Sequence, residues 1–265
     1  MSKPNVPLID LQEASKDKDQ LRLLDSACRD HGFFLLKNHG MQDEINNMWS
    51  MSKWFFAQQR EDKLKLLRSE EIPLGFYDRE LTKQKRDLKE VFDFMETRSE
   101  KDINQWPDEP LFRETMESFF KKSSEVAKET LDLILLCLGI SKNDLIFGDS
   151  KTSNARLNFY PVDDPLSLLE KNEVNGLGDM ALHHHTDPGI LTLLLQDMTG
   201  GLQAKSKEFG WIDITPEKDS IVVNLGDAMQ VWTNDNYVAA IHRVSKRTSE
   251  PRYSTPFFYN PTSDS

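Results

Sequence analysis

From Ser153 onward, short runs of aliphatic, β-branched and aromatic residues recur between turn formers, and no other feature constrains the fold as much. The breaks fall at Asp163-Asp164, Gly200-Gly201, Pro216, Gly226, Asn234 and Pro256. Runs this short cannot bury a face alone, so they are expected to pair into a sandwich or close into a barrel. The upstream part has a helical texture. Leu21, Leu24 and Cys28 fall at helical spacing ahead of Gly32, which predicts a helix over about 17–31. Ile45, Met48, Trp49 and Phe56 predict a second, core-facing helix over about 43–60. Pro110 at a first-turn position opens a long helix to about Cys137, stopped at Gly139, with Phe119, Val126, Leu131 and Leu135 turned inward. Residues 61–107 are charge-rich and broken by Pro73, Gly75 and Pro107, and are expected to run over the mouth of the barrel. The 265 residues are expected to form a single domain, 1–265, with 1–150 as N-terminal strands and helices packed on a barrel of residues 151–262.

Composition narrows the function. Lys+Arg 33 against Asp+Glu 44 gives a formal charge of −11, which argues against a nucleic-acid partner. No apolar run approaches the roughly 18 residues of a membrane span, and the polar N-terminus does not read as a secretory signal, so a cytoplasmic protein is expected. Cys28 and Cys137, the only two cysteines, sit in apolar helical patterns and read as reduced, packed thiols.

The chemistry is concentrated in two short motifs and one isolated histidine. Side chains alternate along a strand, so His185 and Asp187 of His185-Thr186-Asp187 face one way while Thr186 faces the other. His242 is the only histidine after this run and the natural third donor. Two histidines and one carboxylate on one face of an octahedron leave three positions open, an arrangement suited to non-haem Fe(II) and oxygen. Of His183, His184 and His185, only His185 has an acid two residues on. His183 shares its face and reads as a neighbouring or substrate-side group, and His184 as packed or solvent-facing. Arg252 and Ser254 also share a strand face, where a guanidinium fork and a hydroxyl can hold one carboxylate by three hydrogen bonds.

These motifs lie in a longer series: Leu191-Thr192-Leu193-Leu194-Leu195-Gln196-Asp197, Gly200-Gly201-Leu202-Gln203, Val222-Val223-Asn224-Leu225-Gly226-Asp227, His242-Arg243-Val244, Arg252-Tyr253-Ser254 and Phe257-Phe258. Upstream stand Val6-Pro7-Leu8-Ile9-Asp10-Leu11, Gly32-Phe33-Phe34-Leu35-Leu36-Lys37-Asn38-His39-Gly40, Asp87-Leu88-Lys89-Glu90-Val91-Phe92-Asp93 and Arg156-Leu157-Asn158-Phe159-Tyr160-Pro161. From about residue 6 to about residue 261 the chain resembles the 2-oxoglutarate and Fe(II)-dependent dioxygenase superfamily. The resembling branch includes isopenicillin N synthase and the plant oxidases and hydroxylases of specialised metabolism.

The resemblance implies a mainly β protein with flanking helices, built on a double-stranded β-helix, or cupin-like jelly roll. It implies an oxidoreductase that takes Fe(II), 2-oxoglutarate and O2, with ascorbate as a reductant, and releases succinate and CO2 while hydroxylating, desaturating or cyclising a small organic metabolite. His185, Asp187 and His242 would then hold the metal. Arg252 and Ser254 would bind the distal carboxylate of 2-oxoglutarate, with Tyr160 assisting and Asn158 near the metal end. Arg156 matches a cationic pocket position that would favour a substrate carboxylate, and Phe258 an aromatic one. Val91, Tyr77 and His183 are further candidates for substrate contact. A plant oxidase of the branch keeps the Arg-x-Ser pair yet uses ascorbate, so an oxidase independent of 2-oxoglutarate is the second reading, and a non-catalytic jelly-roll binder the third. Many relatives carry a C-terminal helix over the site; here residues 61–107 or a partner chain are expected to close it, or the site to stay more open, in a monomer or weak oligomer.

Overall fold

The computed structural model describes residues 6–98, 102–140, 148–246 and 249–263. Its N-terminal part runs β1 (Leu8–Asp10), α1 (Lys18–Asp30), β2 (Phe33–Lys37), α2 (Gln42–Phe56), α3 (Arg60–Leu64), β3 (Gly75–Tyr77), β4 (Leu81–Thr82), β5 (Lys85–Arg86), β6 (Glu90–Met95) and α4 (Pro110–Cys137). The remainder is β7 (Gly148–Tyr160), α5 (Leu168–Glu173), β8 (Leu182–His185), β9 (Leu191–Gln196), β10 (Leu202–Ser206), β11 (Gly210–Asp213), β12 (Ile221–Leu225), α6 (Asp227–Trp232), β13 (His242–Val244) and β14 (Arg252–Pro261).

Eight strands form a major sheet in the order β1-β2-β12-β9-β14-β7-β6-β3, and four form a minor sheet, β11-β10-β13-β8. Strand alternation separates the two faces of the major sheet. Leu191, Leu193 and Leu195 of β9, Ile221, Val223 and Leu225 of β12, Ala155 and Leu157 of β7, and Phe257 and Tyr259 of β14 join a core shared with α1, α2 and α4. Their alternate neighbours face the minor sheet. There Phe33, Leu35, Tyr160, Leu194 and Val222 pack with Leu202, Ala204 and Val244 in a second apolar cluster. Because both faces are covered, β2, β9 and β12 read as nearly continuous apolar runs. This is the mainly β jelly roll with flanking helices that the sequence led us to expect.

The helices follow their local signals. Asp17 caps α1 by accepting from the Asp19 and Gln20 amides, and the helix gives way at Gly32, with φ +68°. A Cβ at Gly32 would lie 2.4 Å from the Val238 carbonyl oxygen, so both the backbone conformation and the close approach require glycine. Pro110 opens α4 and Gly139, at φ +71°, follows its end. Cys28 is buried on α1, and Cys137 on α4 donates to the Leu21 carbonyl at 3.5 Å; both thiols are free.

Two expectations require correction. The helix expected over about 43–60 ends at Phe56, and α3 starts separately at Arg60. The break turns Lys63 back so that its ammonium donates to the Phe56 carbonyl at 3.2 Å and pairs with buried Glu90. Residues 61–107 are also more than an excursion over the mouth. β6 is an interior strand of the major sheet, paired with β7 from Glu90↔Phe159 to Met95↔Asn154, and β3 lies outside it. Charge misled the reading because these charges are paired: Arg68 bonds Asp93 and Glu80, and Arg156 bonds the same two acids. From this segment Glu80, Thr82 and Lys89 line the cavity between the sheets.

Candidate active site

A cavity of about 420 Å³ lies between the sheets, within the roughly 300–1,000 Å³ usual for small-molecule sites. The major sheet contributes the inward alternates Arg156, Asn158 and Tyr160 of β7, Thr192 of β9, Asn224 of β12, and Arg252, Ser254 and Phe258 of β14. The minor sheet contributes His185 and His242, and Glu80, Thr82 and Lys89 come from the 61–107 segment.

β8 and β13 pair antiparallel with His185 directly opposite His242, which brings the two ring centroids to 4.2 Å. Each imidazole Nδ1 lies 2.9 Å from a backbone carbonyl two residues earlier, His185 to the His183 oxygen and His242 to the Ala240 oxygen. A carbonyl can only accept, so the proton sits on Nδ1 and the Nε2 lone pair is free. Asp187 accepts through Oδ2 from the Thr192 hydroxyl at 2.6 Å and from the Asn224 amide at 2.8 Å. Its Oδ1 lies 3.7 Å from Nε2 of His185 and 3.8 Å from Nε2 of His242. Three donor atoms thus converge, all within 4.8 Å of one another. Two neutral nitrogens and one anionic oxygen fit a divalent metal that keeps open positions.

Electrostatics favour the protonation states such a metal needs. Burial, then the proximity of the His242 imidazole, push His185 down to about 4, with a smaller contribution from Lys89. Burial raises the Asp187 carboxyl, but the neighbouring His242 and the bonds from Thr192 and Asn224 outweigh it and hold the group below the usual carboxylate range.

Strand alternation does not explain the whole donor set. β8 ends at His185, so Asp187 lies in the following loop, and Thr186, expected to face away, lines the cavity. The loop is tied down instead by its backbone. The Asp227 amide donates to the Asp187 carbonyl at 2.8 Å, and a Cβ on Gly226 would lie 2.2 Å from the Gly189 carbonyl oxygen. Thr192, Asn224 and Gly226 were missed as site residues. The available signal was polarity: Thr192 and Asn224 each interrupt an otherwise apolar strand.

Arg252 is 1% exposed. Its Nε donates to the Gly200 carbonyl at 2.9 Å, one terminal nitrogen to the Ser254 hydroxyl at 3.1 Å, the other to the Gln196 amide oxygen at 3.4 Å, and its guanidinium lies over the Tyr160 ring. Among the described residues no carboxylate pairs with it. Asn158 reaches Ser254 at 3.4 Å, and its buried Oδ1 has no hydrogen-bond partner.

The substrate candidates separate. Phe258 lines the cavity, whereas Val91 is fully buried opposite Asn158 and is not part of the lining. Tyr77 also lies off the cavity, under the Arg68 guanidinium at 4.1 Å. His183 bonds Asp179 at 3.0 Å, outside the lining, and His184 is exposed. Arg156 does line the cavity, but Asp93 holds it through two bonds of 2.6 and 2.9 Å and Glu80 through a third of 2.9 Å.

The comparisons with known proteins agree with this geometry. A model of the 2OG-Fe(II) oxygenase superfamily matches residues 152–261, and one of the non-haem dioxygenase in morphine synthesis N-terminal region matches residues 6–109. The chain is 34% identical to 1-aminocyclopropane-1-carboxylate oxidase 4 of Solanum lycopersicum, over 98% of this chain and 80% of that protein. It is 29% identical to Jasmonate-induced oxygenase 4 of Arabidopsis thaliana, over 98% and 73%. A full-length Neurospora crassa protein crystallised with alpha-KG superposes with a TM-score of 0.82 at 29% identity, covering 98% of this chain and 86% of that one. The chain therefore belongs to the 2-oxoglutarate and Fe(II)-dependent dioxygenase superfamily, oxidoreductases that take Fe(II), 2-oxoglutarate and O2, in its plant-type branch.

Proposed function

We propose that this protein is a 2-oxoglutarate-dependent Fe(II) oxygenase of a small organic metabolite, with Fe(II) held by His185, Asp187 and His242 and 2-oxoglutarate by Arg252 and Ser254. The observation that carries this reading is the buried Arg252. An arginine cannot shed its proton, and a guanidinium in the interior without a carboxylate is costly unless a ligand supplies the anion. Arg252 opens into the cavity that holds the metal-donor set, so one bound molecule can span both. Fe(II) and 2-oxoglutarate, when bound, supply the activation of O2 for substrate oxidation, with succinate and CO2 as coproducts.

The chain's own groups supply placement. The fork of Arg252 and the hydroxyl of Ser254 orient the distal carboxylate, and Tyr160 packs against the guanidinium. Thr192 and Asn224 hold Asp187 so that one oxygen stays free, and the backbone carbonyls of His183 and Ala240 fix both imidazoles. Apolar Leu182, Leu194, Leu202 and Val244 exclude water around the donors. Hydroxylation, desaturation and ring closure all begin from this arrangement, and substrate pose selects among them.

The test is anaerobic calorimetry of 2-oxoglutarate binding to Fe(II)-loaded protein, followed by succinate measurement after O2 is admitted. Tight, metal-dependent binding that weakens about a hundredfold in Arg252→Met supports the assignment. Absence of metal-dependent binding by the wild type would overturn it in favour of an oxidase using another electron source.

A further inference from the structure

With 2-oxoglutarate assigned to Arg252, the cavity wall still contains, among the described residues, one cation with spare hydrogen-bonding capacity, and it is not Arg156. We propose that the ammonium of Lys89 binds the carboxylate of the substrate, and that the substrate class is a small monocarboxylate. The proposal rests on the reading of the site given above.

Lys89 is 4% exposed and lines the cavity just before β6. Its three N–H donors meet two acceptors among the described residues, Glu80 Oε2 at 3.2 Å and Asp87 Oδ2 at 3.7 Å. Neither reaches the 2.7–2.9 Å typical of a charge-assisted bond. Both oxygens are also engaged elsewhere. Glu80 Oε2 accepts from Arg156 at 2.9 Å, while Arg68 takes the other oxygen of Glu80; Asp87 Oδ2 accepts the Thr82 hydroxyl at 2.8 Å. Burial pushes the Asp87 carboxyl up, against the pull of Lys89 and the Thr82 hydroxyl.

The surrounding network therefore works as a scaffold. Arg68, Arg156, Glu80 and Asp93 satisfy one another at 3.0 Å or less, whereas Lys89 stands 3.2 Å and 3.7 Å from its two carboxylates and, among the described residues, has an N–H left over for a ligand. Size and charge define its ligand. The 420 Å³ cavity must also hold 2-oxoglutarate, so the substrate is small. Lys89 already faces Glu80 and Asp87, so its remaining N–H suits a ligand of low charge, and a dianion such as a phosphate monoester would bring more negative charge than the paired network can compensate.

The experiment is calorimetric titration of protein loaded with Mn(II) and saturating 2-oxoglutarate, so that Arg252 and the metal positions are already occupied. The probes are cyclopropanecarboxylate, 3-phenylpropanoate and indole-3-acetate, each beside its amide. At least one carboxylate is expected to bind roughly tenfold or more tightly than its amide, the scale of a charged hydrogen bond. The preference should collapse in Lys89→Met and persist in Lys89→Arg, and Lys89→Gln, which can still bond Glu80, serves should Lys89→Met not fold. A wild type that favours no carboxylate over its amide, or a neutral variant that keeps the preference, overturns the assignment of Lys89. Failure of the wild type to take up 2-oxoglutarate in the loading step would instead overturn the reading of the site itself.

Discussion

At the scale of single residues, the proposed donor set depends on neighbours that supply no donor atom themselves. Asp187 presents one oxygen because Thr192 and Asn224 occupy the other. We expect Asn224→Leu to lower Fe(II) affinity about 10- to 100-fold while leaving the fold intact, measured by metal titration under anaerobic conditions. Unchanged affinity would mean that the loop backbone alone orients Asp187. His185→Ala should abolish metal-dependent succinate formation, and normal turnover would remove His185 from the site. The three donors were legible from spacing and type, because His185 and Asp187 sit two apart and His242 is the only later histidine. Their support was not. Nothing in the residues near Asp187 indicates that Asn224, 37 positions away, will donate to it.

Among the elements, the hinge between α2 and α3 shows how tertiary contacts override a helical pattern. Apolar spacing favours a helix to about residue 60, yet α2 ends at Phe56 and α3 starts at Arg60, with Lys63 of α3 paired to Glu90 on β6. Both groups are buried, and burial raises the Glu90 carboxyl despite Lys63. Lys63→Met is expected to cost about 3–5 kcal/mol by leaving Glu90 unpaired. Lys63→Met combined with Glu90→Leu should recover most of that loss. A double-mutant cycle in urea checks the pair, and additive losses would show that the two do not act together. The ends of α1 and α4 were readable because glycine, proline and capping side chains act within a turn. The end of α2 was not, since the Lys63–Glu90 pair beside it joins residues 27 apart in sequence.

For the whole molecule, the charged network ties the 61–107 segment to the barrel. Burial raises the Glu80 carboxyl, but Lys89, Arg156 and Arg68 together overcome this and hold it far below the ordinary value. A carboxyl depressed on folding adds stability above its unfolded value, near 4.3, that is lost as pH falls through the native value. Wild type should therefore lose more stability than Glu80→Gln between about pH 5 and pH 2. Chemical denaturation across that range measures it, and parallel curves would deny Glu80 the role.

What the sequence by itself determined is everything encoded by local periodicity and residue type: alternating strands, helix stops, and the kinds of donor that face inward. Family resemblance extended this to the topology and to the expectation for Arg252. Only the tertiary structure decided which polar groups have partners. Arg156 and Lys89 are both cations that line the cavity, yet Asp93 and Glu80 bond the first at 2.6 to 2.9 Å while the second stands 3.2 Å from Glu80. That difference depends on distances between segments far apart in the chain, and pairing at long range has no periodicity to betray it.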